Sequence, residues 1–279
     1  MKSAKQIAFI IIGFTMIFLA VGLIFMKKSN DRARGGSSEG ESGSVAFSTP
    51  ISSLVFEAGA CNIKVSVGDG EDYILDYEGL KYGTLTHELE GEELKISFKQ
   101  NNNWTAKMFA EKDIDDQKIT LTIPKGAMPD SALFEFGAAE INMEDVSAKK
   151  LYITVGAGEL TADGLTATEF AKLNVGAGVF HADEVALENA ELVCGVGEMN
   201  VTGTFVGNTT ADCGVGAMEL RVNGQQEEYR GELNCGLGEI EFGNINIDGS
   251  GNKIYGTSSA ERRMDIKCGI GEVDVRFYN

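Results

Sequence analysis

The chain has 279 residues, 43% of them hydrophobic, with 35 Gly, 3 Pro, 5 Cys and a formal net charge of −18. Glycine stands near one residue in eight, against roughly 7% on average, while the apolar share suffices for a core and excludes disorder over most of the length. So acidic a chain repels the phosphates of DNA and RNA, which excludes nucleic acid as a partner.

Residues 7–26, IAFIIIGFTMIFLAVGLIFM, are twenty uncharged and mostly apolar residues, the length needed to cross a hydrocarbon core about 30 Å thick. A cleaved signal peptide would have a shorter apolar core of about 7–15 residues. Here the run continues past Ala20-Val21-Gly22 to Met26. Residues 1–28 are therefore expected to be an uncleaved transmembrane anchor, the chain's contact with the membrane. Two lysines precede the run, and Lys27, Lys28, Arg32 and Arg34 follow it, a count that by itself leans toward a cytoplasmic C-terminus. Residues 29–44, SNDRARGGSSEGESGS, hold Gly, Ser and charge without apolar periodicity, the composition of a flexible tether. An ordered domain is expected over 45–279.

That domain repeats itself. The leading glycines of a GxG-type element fall at Gly59, Gly137, Gly156, Gly176, Gly195, Gly214, Gly236 and Gly269, with intervals from Gly137 onward of 19, 20, 19, 19, 22 and 33. Apolar residues alternate on both sides, as in Leu192-x-Cys194 before the corner and Met199-x-Val201 after it. Period two predicts two short strands per unit, each with one buried face. The inward parity runs Leu192, Cys194, Val196 and then shifts to Met199, so the chain must bend between them. Gly195 and Gly197 are expected to supply positive φ for that bend. One unit cannot bury its own apolar face, but stacked units can. The prediction is an all-β fold, a β-solenoid of ~19-residue rungs.

Residues 68–135 interrupt the repeat. YILDY, LTHELE, ELKISFK and KITLTIP read as extra antiparallel strands that cap the N-terminal end, since an open sheet edge recruits other chains. The 33-residue interval containing DGSGN at 248–252 reads as a hairpin excursion. The chain stops just after its last strand, which predicts an open edge at Val273–Phe277.

Several chemistries resemble parts of the repeat. A dinucleotide fingerprint needs a third small residue, a following helix and a βαβ context; here Thr161 or His181 stands at that place and strand resumes. Cys194, Cys213, Cys235 and Cys268 occupy a column that begins Phe136, Val155, Val175, so they read first as small buried hydrophobes, with a disulfide or a metal as alternatives. Cys61 stands at a corner position that is Gly elsewhere. Glu140, Glu159, Glu198, Glu239 and Glu272 follow the corner, broken by Val179 and Ala217; they read as a solvated edge, with calcium as the alternative. His87 and His181 have no motif around them. No catalytic, cofactor-binding or metal-ligating residue is expected, and the chain does not read as an enzyme.

The anchor, the tether, EAGACNIKV, the ELKISF…ITLTIP insertion and the serial GAG-E-L rungs together resemble the bacterial putative-adhesin domain family, over about residues 50–279. The resemblance implies a β-solenoid in the envelope of a Gram-positive bacterium, single-pass in the cell membrane with its domain extracellular. It also implies an adhesin or binding module with a protein or glycan partner. The alternatives are a scaffold that self-associates end to end through 273–277, and an envelope-stress signalling partner of another membrane protein.

Overall fold

The computed structural model describes residues 40–48, 50–101 and 117–278; the expected anchor and the tether up to residue 39 lie outside them. Among the described residues the chain is all-β, 23 strands in one continuous sheet with a single 3-10 turn at Gln226–Glu228. No helix there is long and apolar enough to cross a membrane.

The strands fall into two ladders. The first runs, in spatial order, β5 (Gly83–Glu90), β6 (Glu93–Gln100), β2 (Ser53–Ala58), β8 (Ser131–Phe136), β10 (Ser147–Val155), β12 (Thr166–Val175), β14 (Ala190–Cys194), β16 (Asn208–Cys213), β22 (Arg262–Cys268), β18 (Tyr229–Cys235) and β21 (Gly251–Tyr255). The second runs β1 (Glu41–Phe47), β4 (Tyr73–Leu80), β7 (Lys118–Pro124), β3 (Asn62–Gly68), β9 (Glu140–Glu144), β11 (Glu159–Asp163), β13 (Val179–Glu188), β15 (Glu198–Val206), β17 (Ala217–Asn223), β23 (Glu272–Tyr278), β19 (Glu239–Phe242) and β20 (Ile245–Asp248). Every pairing from β6 to β18, and from β7 to β19, is parallel. A shorter third run, Ser147–Thr166–Ala186–Thr204, closes the return side.

Because rungs stack in register, each inward position becomes a column. Ile153, Leu173 and Leu192 lie over one another, as do Leu160, Phe180, Met199 and Met218, all fully buried. Full burial of such side chains contributes roughly 1.5–3 kcal/mol each, and the repeat multiplies it.

The glycine corner works differently from the sequence expectation. None of its glycines takes positive φ. Glycine is required there because successive corners touch: a Cβ on Gly158, Gly178, Gly197, Gly216 or Gly238 would lie 2.0–2.1 Å from the carbonyl oxygen of the adjoining rung. That closeness lets the ladder continue around the bend, as in Gly195 N to Val175 O, Val196 N to Gly176 O and Glu198 N to Gly178 O at 2.8, 2.8 and 3.0 Å. Val196 was expected to point inward. Its column instead faces out, with Val215, Ile270 and Leu237 exposed by 40, 62 and 76%, because the two glycines take the tight inner side of the bend.

Both ends differ from the sequence reading. Within 68–135 only β4 and β5 pair antiparallel with their neighbours; β6 and β7 run parallel to β2 and β3. The segment thus adds a rung outside the first one, and β1, β4 and β5 cover it. At the other end, β22 and β23 slot between β16/β17 and β18/β19. Val273 and Val275 are therefore interior, and the edge expected at Val273–Phe277 does not exist. The outermost strands are β20 and β21, which fold back antiparallel around the DGSGN turn. The tether's last residues, 41–44, belong to β1.

Candidate functional site

Cys194, Cys213, Cys268 and Cys235 stack in that order on neighbouring rungs. All five cysteines are buried and unbridged. A contact with the Cys194 side chain, and then burial, push the Cys213 thiol up. Burial pushes Cys268 up to about 12 and Cys61 likewise to about 12. Protonated thiols at neutral pH are poor nucleophiles and poor metal ligands. Among the described residues no three His, Cys, Asp or Glu side chains converge so as to hold a metal ion.

The corner carboxylates line up as Glu140, Glu159, Val179, Glu198, Ala217, Glu272, Glu239. The two histidines are far apart in the stack. His87 lies on the outermost strand β5 against the Phe47 ring, and His181 lies on β13 with Nε2 3.0 Å from Asp183 Oδ2.

The sequence reading passed over the arginines. Beyond the tether all five lie between Arg221 and Arg276, and stacking brings four of them into two in-register pairs. Residues 45–220 hold eleven Lys and no Arg against 29 Asp and Glu, whereas residues 221–279 hold seven Lys and Arg against ten. On the second ladder Arg221 faces Arg276. That pair is neutralised: Arg221 Nε donates to Glu219 Oε1 at 2.8 Å, and Arg276 contacts both Asp274 and Glu219.

On the first ladder Arg230 of β18 faces Arg263 of β22. Arg263 Nε donates to Asp265 Oδ2 at 2.6 Å, while Asp265 Oδ1 accepts from Glu232 N at 2.9 Å. The Glu232 carboxylate accepts from Asn252. Both nearby carboxylates are thus engaged, and the Arg230 side chain has no hydrogen bond or ion pair among the described residues. Arg230 and Arg263 line a crevice of about 260 Å³ together with Glu232, Ile254, Tyr255, Thr257 and Ser258. Ile254 is 80% exposed.

Local backbone requirements build this crevice. A Cβ on Gly231 would meet Met264 O at 2.1 Å, so β18 lies tightly on β22. Gly256 has φ +76°, and a Cβ there would meet the Arg230 Cα at 2.6 Å. Buried Tyr255 donates to Met264 O at 2.6 Å and fixes the end of β21. No pattern local to 230 or 263 reveals the pair, since only the out-of-order docking of β22 brings them together.

A second hollow, of about 650 Å³, lies at the other end between Asp69, Glu71, Asp72 and Lys125. Its charges are of mixed sign and mostly acidic.

No protein-family model and no curated protein matches this chain. Solved structures similar to it include a putative cell adhesion protein from Clostridium sporogenes ATCC 15579, 12% identical, covering 85% of this chain and 100% of that one with a TM-score of 0.33. They also include a putative adhesin from Bacteroides fragilis NCTC 9343, 15% identical, covering 84% and 97% with a TM-score of 0.41.

Proposed function

We propose that this chain is a β-solenoid binding module of the adhesin type, non-catalytic and held in the cell membrane of a Gram-positive bacterium by residues 1–28, with its domain outside the cell. The observation that carries this reading is the pair of long parallel ladders. They hold outward side chains in fixed rows about 4.8 Å apart, a rigid surface of the kind stacked-repeat proteins use to engage extended partners. The partner is a protein or a glycan.

Sidedness tests the reading in the full chain. Ser38→Cys, in a chain whose five native cysteines are changed to Ala or Val, is expected to react with an impermeant maleimide on intact cells. Protection that ends only on lysis would place the domain in the cytoplasm and overturn it.

A further inference from the structure

Repetition puts like residues over like residues, and like charges facing each other across a ladder are destabilising. The Arg221/Arg276 pair is offset by Glu219 and Asp274. The Arg230/Arg263 pair has the same register, with Asp265 bonded to Arg263 and shared with a backbone N–H, and Glu232 nearby accepting from Asn252. Among the described residues Arg230 is the one arginine of these four whose side chain makes no hydrogen bond or ion pair.

We propose that the Arg230/Arg263 crevice binds the carboxylate of an acidic sugar unit, with the planar carboxylate bridging the two guanidinium groups. Three features select this class. The guanidinium fork matches a carboxylate's two oxygens and binds it through parallel hydrogen bonds. The crevice, about 260 Å³, accommodates one monosaccharide ring. Ile254 supplies an exposed apolar wall for the ring's C–H face, and Thr257 and Ser258 line the crevice beside it. Glu232 and Asp265 are held by Asn252 and Arg263, which leaves the Arg230 guanidinium to the ligand.

The inference rests on the binding-module reading and names its ligand class. The test uses the full chain in detergent, titrated with D-glucuronate, D-glucose and inorganic phosphate and followed by saturation-transfer NMR. Glucuronate is expected to bind in the millimolar range, with glucose at least tenfold weaker. Arg230→Ala should weaken glucuronate at least tenfold, Arg230→Lys should restore only part of that loss, and Arg221→Ala should leave binding unchanged. Equal binding of glucose and glucuronate, or phosphate binding as tightly as glucuronate, would overturn the proposal, as would an Arg230→Ala chain that binds normally.

A fold-level readout stands beside binding. Added glucuronate should raise the melting temperature of the wild type but not that of Arg230→Gln. Equal stabilisation of both chains by glucuronate would overturn the proposal. Surface labelling at Ser38→Cys with no glucuronate binding would defeat this inference alone. Glucuronate binding by a domain protected in intact cells would defeat the adhesin reading alone.

Discussion

The glycine corner and the return corner of each rung both turn the chain between strands, yet they obey different constraints. At the glycine corner the constraint lies between rungs: the second glycine of GxG faces a carbonyl oxygen of its neighbour, with room for hydrogen and nothing larger. At the return corner it lies within a rung. The aligned residues Asp145, Gly164 and Glu184 all take positive φ, at 58°, 76° and 54°, and two of the three carry side chains. From Gly158 onward the glycine corner tolerates no Cβ whatever its φ, while the return corner tolerates side chains that accept an unusual φ.

The sharpest way to break this contrast is Gly197→Ala. Its Cβ would lie 2.1 Å from Gly178 O, a backbone atom that moves only if two rungs separate and corner hydrogen bonds are lost. The expected loss is about 3 kcal/mol or more, read as a melting temperature lowered by roughly 6–12 °C. A loss under about 1 kcal/mol would mean that the corners are not in contact.

The contact loosens at the first step of the repeat, and this sharpens the comparison. A Cβ on Gly137 would meet nothing closer than 3.4 Å. There the second-glycine position holds Ala139 and, one rung earlier, Cys61, both buried. Burial pushes the Cys61 thiol from 9.0 up to about 12. The unfolded chain ionises first as pH rises, so the stability this thiol contributes is complete below pH 9 and is lost progressively toward pH 12. Between pH 9 and about 10.5 the loss is about 2 kcal/mol. Denaturant titrations of wild type and Cys61→Ala over that range should diverge by this amount. Parallel curves would show that Cys61 reaches water.

This difference between corners also marks what was legible in the sequence. The alternation around Leu192-x-Cys194 and Met199-x-Val201 gave away both strands and their inward faces, because period two depends only on neighbours along the chain. The glycine spacing gave away the stacking for the same reason. The outward turn of Val196 and Leu237 was not legible, since a contact between rungs, rather than φ, decides which side of the bend the glycines occupy. Nor was the order of the last rungs. Arg230 and Arg263 are 33 residues apart, the same separation as Cys235 and Cys268, and that interval is compatible with a rung added beyond β18 or one inserted before it. Only pairing on both sides of β22 distinguishes the two, so the arginine crevice could not be read from spacing.

The smallest effect belongs to the return corner, at Gly164→Asn. Gly164 stands over Asp145, and a Cβ there would meet the Asp145 Oδ1 at 2.6 Å, the far end of a side chain that can rotate away toward solvent. No backbone atom lies closer than 3.2 Å. Asn is among the residues that accept the left-handed region most readily, because its short polar side chain bonds locally to the backbone. At Asn189, also at positive φ (52°), the side chain accepts from Asn208 N at 3.1 Å and donates to Glu169 O at 3.0 Å, linking successive rungs. The cost of Gly164→Asn should therefore stay below about 1 kcal/mol, against several times that for Gly197→Ala. Measured by the same chemical denaturation, equal losses at the two positions would erase the distinction between a corner limited by its neighbour and a corner limited by its own φ.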